Sequence, residues 1–380
     1  MGTAAVTRLP AVVAAVSLLL LAAPAQALPR PPKLPARAAI LTALQTLEHA
    51  SLRQVFGDPD WHPAPADSQI GLVPGERMSV RDLMVAMLVP SADDAAEDLA
   101  YNVGGHSIPR FLAMMNRGAR ALGLTHTHYA TPVGLDTPGN YSSASDLVKL
   151  ASYLLEHYPF FKQVVGLPHA VLKTGNYPRY VASRNTLVGR VPWIHGVKTG
   201  HTRDAGYVLV ADGSRDGMTL VSAVLGTPSE AARNGSTLAL LDWGFANFRL
   251  AKPLTAGSTV ARATVNGDHS SHVNVIAAKA VSWVIPKSAD LKVRTTLSRN
   301  LNGPLKRHSR VGTATVLEGD KTVARVPLLV ARAIPGLPWL TKTGRFITKP
   351  YTLVGLIALL AMAAALMVVW RSRRRTASPA

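Results

Sequence analysis

The run Gly196-Val197-Lys198-Thr199-Gly200-His201-Thr202 constrains this chain more than any other stretch. Apolar residues precede it (Val191, Trp193, Ile194), and the run Ala205 to Ala211 follows it. A short apolar run bounded by turn residues reads as a buried strand. The pattern therefore places a lysine and two threonines on a sheet, with Lys198 as a cation and the Thr199 and Thr202 hydroxyls as donors to a carboxylate or carbonyl. Gly200 lets another backbone approach closely. The Lys-Thr-Gly triplet alone carries little weight, because it recurs at Lys173-Thr174-Gly175 and Lys342-Thr343-Gly344. Neither of those copies is followed by a buried strand.

Around this element the periodicity predicts helices first and strands later, an α+β pattern. Ile40, Leu41, Leu44 and Leu47 fall at helical spacing within Ala36 to Leu47. Ser79-Val80-Arg81-Asp82 reads as a capping box opening a helix that Pro90 ends, so Ser91-Ala92-Asp93 falls in a turn before a helix beginning near Asp94. Further helices are expected at Ile108 to Leu122, at Ser145 to His157 closed by Pro159, and after Ser229. Tyr207 to Ala211 and Thr219 to Leu225 read as strands joined by an Asp212-Gly213 turn. Asp58 to Ile70 reads as a surface loop.

After Phe248 the alternation of Val273 and Val275, and of Leu291, Val293, Thr295 and Leu297, predicts a small all-β domain over residues 249–338. Within it, Glu318-Gly319-Asp320-Lys321 reads as a hairpin turn.

The two ends place the chain at a membrane. Arg8, the apolar run Ala11 to Ala23 and Ala25-Gln26-Ala27 have the form of a secretory signal over residues 1–27, and a proline-rich linker follows at 28–35. Residues 351–370 are apolar over a length of about 20 residues, enough to cross a bilayer. The basic tail 371–380 comes next, and positive residues stay on the cytoplasmic side. The expected location is a single-pass cell-membrane protein with its main domains extracytoplasmic and its tail cytoplasmic.

The formal net charge of +19 then favours anionic wall polymers and lipid headgroups over nucleic acid, for which no zinc-finger, helix-turn-helix or aromatic-basic pattern is present. The absence of cysteine fits an exported bacterial protein built without disulfides. His126 and His128 share a face of an extended segment but lack a third ligand, so neither a metal nor any other cofactor is expected.

At this point the chain resembles the D-alanyl-D-alanine carboxypeptidases, the low-molecular-mass penicillin-binding proteins. The likeness is carried by Pro74-Gly75-Glu76, by Pro90-Ser91-Ala92-Asp93-Asp94-Ala95-Ala96, and by Met115-Asn116. Gly134-Leu135-Asp136, Ser145-Asp146-Leu147 and Asn185-Thr186-Leu187 extend it, as does Gly196 to Thr202 with Ala205-Gly206-Tyr207. It covers residues 36–248 and, more loosely, the β domain that many members carry before a membrane attachment.

The resemblance implies a β-lactamase/transpeptidase-like domain, an antiparallel sheet with a helical cluster, acting on peptidoglycan stem peptides. It implies a serine nucleophile with a lysine base three residues on, in S-x-x-K, together with S-x-N and K-T-G elements. Ser91, Asp93, Lys198, Thr199, Gly200 and Thr202 are then the substrate-binding residues.

Two departures qualify what the resemblance implies. The positions that correspond to the serine and lysine of S-x-x-K are Ala36 and Ala39, and no S-x-x-K occurs elsewhere. The asparagine of S-x-N is Asp93, which turns a donor amide into a carboxylate that only accepts. In addition, Ala27 and Ala36 are close where the family has several dozen residues, so the sheet is expected to lack its first strands.

In a serine protease, loss of nucleophile or base lowers turnover about a millionfold and leaves roughly a thousandfold over water. The expectation is therefore a degenerate carboxypeptidase whose catalytic set is not intact, with Ser91 and Lys198 as residual groups and β-lactams bound non-covalently at most. The alternative is a non-catalytic peptidoglycan-binding or scaffolding protein of the cell envelope.

Overall fold

The structure, a computed structural model, describes residues 38–57, 68–266, 268–298, 300–336 and 350–375. The signal at 1–27, the linker at 28–35, Ala36, most of the loop from Asp58 to Ile70 and the end of the basic tail lie outside the described residues. The chain divides into two compact units: one comprises the residues up to Leu250 with Val284–Ser288, and the other Ala251–Trp283 with the residues from Ala289.

The first unit is built around helix α1 (Ala38–His49). The sequence predicts an apolar stripe here, but every residue from Ala38 to Thr46 is buried. The helix is central rather than one-sided because its polar groups are bonded internally. The Thr42 hydroxyl donates to the Pro132 carbonyl at 2.9 Å and the Thr46 hydroxyl to the Thr42 carbonyl at 2.8 Å. Buried polar groups are tolerated on these terms.

A short ladder, β1 (Val55–Phe56) with β2 (Met78–Ser79), precedes helix α2 (Val80–Leu88). Ser79 caps α2 by accepting from the Asp82 N–H at 3.1 Å. The expected capping box is only half formed, since the Ser79 N–H donates to Thr174 Oγ1. Asp82 instead turns toward the first Lys-Thr-Gly triplet. Its Oδ2 accepts from the backbone N–H groups of Lys173 and Thr174, both at 2.8 Å, and from the Thr174 hydroxyl at 2.7 Å. That triplet is thus a structural turn.

Helices α3 (Asp93–Val103), α4 (Ile108–Ala121) and α5 (Ala144–His157) complete the helical cluster, and Ser107 and Ser143 cap the last two. α5 ends at His157 just before Pro159, as expected, and Pro159 also occupies the first turn of a new helix, α6 (Pro159–Val165), where its missing N–H is harmless.

Strands β3 (His169–Leu172) and β4 (Arg179–Ala182) form a hairpin. Arg179 on β4 makes a bidentate ion pair with Glu76, both contacts at 2.9 Å, and donates to the carbonyls of Ile70 and Gly71. The pair is buried, with side-chain exposures of 6% and 0%. Burial by itself would raise the Glu76 carboxyl. Arg179 and the backbone N–H groups of Asn176 and Val73 outweigh it and hold the carboxyl below its ordinary value.

The main sheet is antiparallel in the order β5 (Ile194–Thr202), β6 (Gly206–Arg215), β7 (Met218–Thr227), three strands among the described residues. The expected Asp212-Gly213 turn is not a turn. Both residues continue β6, with Asp212 opposite Gly196, and the reversal is made by the next such pair, Asp216-Gly217, with φ of 51° and 74°. Positive φ at both central residues is what a two-residue hairpin turn of the primed type requires. Helix α7 (Glu230–Asn247), capped by Ser229, packs on β6 and β7.

The second unit contains strands β8 (Phe248–Leu254, shared with the first unit), β9 (Thr259–Val265), β10 (Asp268–Ala277) and β11 (Val281–Pro286, also shared). It continues with β12 (Leu291–Leu297), β13 (Asn300–Leu301), β14 (Arg310–Glu318) and β15 (Lys321–Val330). Its sheet runs β12-β14-β15-β10-β9-β13.

The Gly319-Asp320 turn closes the expected hairpin, with Glu318 opposite Lys321. β12 departs from the expected half-buried alternation. It is an edge strand whose residues 292–296 are all exposed, and only its ends, Leu291 and Leu297, pack half-buried against the core formed by Val273, Val275, Ala314, Val316, Val326 and Leu328. Helix α8 (Pro350–Arg375) includes a stretch, Val354–Arg371, long and apolar enough to cross a membrane.

Replacing Glu76 with Gln leaves the buried Arg179 guanidinium without a counter-charge. It is expected to destabilise the first unit by about 3–5 kcal/mol in denaturant titrations at pH 7. Because the Glu76 carboxyl is held below its ordinary 4.5, its contribution is present above that value and lost as pH falls through the lower folded one, so the gap between wild type and variant closes in acid.

Candidate functional site

The two elements that the sequence singles out, 107 residues apart, meet. Lys198 lies on β5, is 2% exposed, and donates from Nζ to Ser91 Oγ and to the Thr199 carbonyl, the latter at 3.0 Å. Ser91 stands in the turn between α2 and α3 with φ of 69°. A non-glycine residue in that region costs about 1–3 kcal/mol, and such strain concentrates at functional sites.

The turn is tied to its surroundings on both sides. The Arg184 backbone N–H donates to the Val89 carbonyl at 3.1 Å and its Nε to the Pro90 carbonyl at 3.3 Å. The adjacent Asn185 donates from Nδ2 to the Gly196 carbonyl, also at 3.1 Å. This one short segment therefore holds both walls of the site, the Ser91 turn and the start of β5. The sequence likeness includes Asn185 but does not assign it this role.

A small pocket at the junction is lined by Ala39, Met87, Ser91, Ala92, Asp93, Ala96, Val133 and Lys198. Ala39 thus sits across from the Ser91–Lys198 pair as a methyl group, where the resemblance implies an amine. Asp93, the first residue of α3, also lines the pocket. Its Oδ2 accepts from the Ser68 N–H at 3.2 Å, and its own N–H donates to the Ser68 carbonyl at 2.7 Å. The next residue, Asp94, is fully buried and accepts from the N–H groups of Ile70, Gly71 and Leu72. Burial raises its carboxyl above the ordinary range in spite of those bonds.

The remaining predicted residues separate by strand alternation. Side chains two apart on a strand share a face, so Lys198, Gly200 and Thr202 lie on one side of β5 and Thr199 on the other. Thr199, Gly200 and Thr202 lie outside the lining of the small pocket. Thr202 Oγ1 accepts from the Ala205 N–H at 3.0 Å, which braces the β5–β6 turn. Among the described residues no group of three His, Asp or Glu side chains could hold a metal, and His128 Nδ1 bonds the Gly139 carbonyl at 2.7 Å.

Sequence reasoning missed Asp212. It is 1% exposed, and its Oδ1 has no hydrogen-bond partner among the described residues. A Cβ at Gly196 would lie 3.0 Å from that oxygen and 2.8 Å from the Val165 side chain, so only glycine fits where β5 begins. Burial pushes the Asp212 carboxyl up to about 6, although His195 and Lys162 pull it down.

Comparison with known proteins agrees with this geometry. The family model for D-alanyl-D-alanine carboxypeptidase matches residues 40–229, half of the chain and beginning one residue past Ala39. The model for the penicillin-binding protein 5 C-terminal domain matches residues 248–335. The D-alanyl-D-alanine carboxypeptidase DacA of Haemophilus influenzae is 32% identical over 280 residues, 72% of this chain and 70% of that one. The chain belongs to the D-alanyl-D-alanine carboxypeptidase family.

Another family member, the carboxypeptidase DacC of Escherichia coli K12, is 35% identical over 266 residues, 68% of this chain and 64% of its own length. Among solved structures, penicillin binding protein 5 from Haemophilus influenzae superposes with a TM-score of 0.59 at 28% identity, over 80% of this chain and 92% of that one. The Streptomyces K15 DD-transpeptidase covers 56% of this chain with a TM-score of 0.53 at 29% identity. The family acts in peptidoglycan metabolism, and the transpeptidase-like domain followed by a β-rich domain is its architecture.

Because the Asp212 carboxyl is raised from 3.8 to about 6, ionising it opposes folding, and stability falls as pH rises through that window. Asp212→Asn is expected to abolish this slope, worth about 2–3 kcal/mol for a shift of roughly two units. Urea melts at pH 4, 5, 6 and 7 measure it, and an unchanged slope in the variant assigns the pH dependence elsewhere.

Proposed function

We propose that this family member recognises the D-alanyl-D-alanine ends of peptidoglycan stem peptides in the groove beside Lys198 and Ser91, and that its hydrolytic machinery is degenerate. The carboxypeptidase-like domain of residues 36–248 carries the groove, the β domain of residues 249–338 follows, and the helix at 351–370 anchors both on the outer side of the cell membrane with the basic tail inside.

The observation that carries the reading is the lining of the pocket. The cation and hydroxyl that would hold a terminal carboxylate are in place on β5 and in the α2–α3 turn, while Ala39 presents only a methyl group to them. A fixed ammonium in a largely dehydrated site attracts a carboxylate more strongly than it would in water. Attack on the peptide carbonyl needs more: a nucleophilic oxygen, and a neutral amine to take its proton. Ala36 and Ala39 supply neither.

Asp93 adds a second departure. A carboxylate accepts and does not donate, so it repels a substrate carboxylate on its side of the groove and restricts productive poses to the Lys198 side. Ser91 is a weak replacement nucleophile, because it stands in the α2–α3 turn with the Asp93 carboxylate lining the same pocket.

The test is covalent labelling. A fluorescent penicillin is expected to leave no adduct on the denatured wild-type chain, whereas the double variant Ala36→Ser with Ala39→Lys is expected to acquire one. A synthetic pentapeptide ending in D-alanyl-D-alanine should bind wild type reversibly in calorimetry. Lys198→Met should weaken that binding by about tenfold to a hundredfold, the range for losing a charged hydrogen bond. A wild-type adduct that survives denaturation, mapped to Ser91 or any other side chain, overturns the degenerate reading. Absence of peptide binding overturns the groove assignment.

A further inference from the structure

The net charge of +19 is not accounted for by the groove, and the β unit carries part of it. Residues 251–283 and 289–336 hold twelve lysines and arginines against four carboxylates. Register shows where several of these cations stand. Arg294 on β12 is opposite Thr315 on β14, and Thr315 is opposite Arg325 on β15, so the three form one row across adjacent strands. Their neighbours in sequence, Val293↔Val316 and Ala314↔Val326, define the other face, where Ala314 and Val316 are 0% exposed in the core.

The row therefore lies on the solvent side, and Arg294 and Arg325 are exposed there. Lys292, two residues from Arg294, shares the side. Arg310 reaches it by donating from Nη2 to the Thr313 hydroxyl at 3.1 Å. Farther along, Arg262 on β9 is opposite Asn274 on β10, both exposed and both on the side away from buried Ala263 and Val273.

No carboxylate occupies these positions. The acidic residues of the unit lie at the margins: Glu318 accepts from the Trp283 indole N–H at 3.2 Å, Asp320 sits in the hairpin turn, Asp290 precedes β12 and Asp268 opens β10. The result is a sheet with one face on its core and a second face where these arginines, lysine and threonines stand beside Leu317, Pro327 and Leu329. Strands about 4.8 Å apart hold its guanidinium groups on a broad, shallow surface and not in a pocket.

We propose that this face docks on a membrane leaflet rich in anionic phospholipid. Charge complementarity selects phosphate-bearing headgroups, and the breadth of the surface suits a bilayer better than a small ligand. Chain length brings the two together: residues 331–349 separate β15 from α8, a reach of at most about 65 Å, and α8 is long enough to cross a membrane. The proposal does not rest on the groove assignment, so either can fail alone.

The chain contains no cysteine, so a single Thr296→Cys on the exposed side of β12 can carry a fluorescent donor. The full chain, reconstituted in nanodiscs bearing a headgroup-linked acceptor, is expected to show strong energy transfer when the discs contain phosphatidylglycerol and weak transfer in pure phosphatidylcholine. Arg294→Gln and Arg325→Gln should each lower the docked-to-undocked ratio about fivefold, and together roughly 25-fold. Raising salt from about 0.05 M to about 0.5 M should reverse docking in the labelled chain with its arginines intact, a check that needs no arginine variant to fold.

Equal transfer in the two lipids, or insensitivity to salt, overturns the proposal. So does full docking by arginine variants that melt like the parent. Loss of transfer from phosphatidylglycerol discs when a soluble phosphodiester wall polymer is added at constant ionic strength would assign the face to that polymer instead, and equally overturns it.

Discussion

The organisation of the first unit follows from a buried ammonium. Lys198 is nearly excluded from water in the middle of a strand, and a buried cation is tolerated only when it is hydrogen-bonded. Its bond to Ser91 joins β5 to the turn between two helices and so sets the relative position of sheet and helical cluster at the groove. Arg184 and Asn185 reinforce the same junction from outside, and the buried Glu76–Arg179 pair does so one layer further away by tying the loop at 70–76 to β4. Buried polar contacts of this kind are destabilising when half made, so each favours a single arrangement of the segments it joins.

Opposed to this preserved framework is the helix that faces it. α1 is packed on all sides and satisfies its threonines internally, as a central helix must, yet its contribution to the pocket is the methyl group of Ala39. Packing and catalysis are separable here. The helix is retained by the apolar residues that fill the core, and those residues do not depend on what one side chain presents to the groove. A fold of this family can therefore be retained by its packing whatever side chain its central helix presents to the pocket.

Several features were legible from residues alone, and the reason is local. Ser79 caps a helix, another follows Ser229, and Gly319-Asp320 turns a hairpin, because caps and tight turns are decided by a few consecutive side chains. The errors arose where a local signal had two outcomes. Asp212-Gly213 and Asp216-Gly217 are both turn dipeptides, and pairing of β6 with β5 selected the second. Asp82 could complete a capping box or hold the Lys173–Thr174 turn, and the approach of a segment some 90 residues away selected the second. β12 alternates like a half-buried strand, and at the sheet edge only its two ends reach the core.

The sequence by itself determined the family and the two-part α+β plan, since these reside in ordered motifs that survive without a neighbour in space. It also determined that Ala36 and Ala39 carry no reactive group. Only the tertiary structure decided that Lys198 bonds Ser91, that Asp212 is buried beneath Gly196, and that several cations of the β unit share one face. Each of these depends on strand register and long-range packing, which place together residues that no span of the chain makes neighbours.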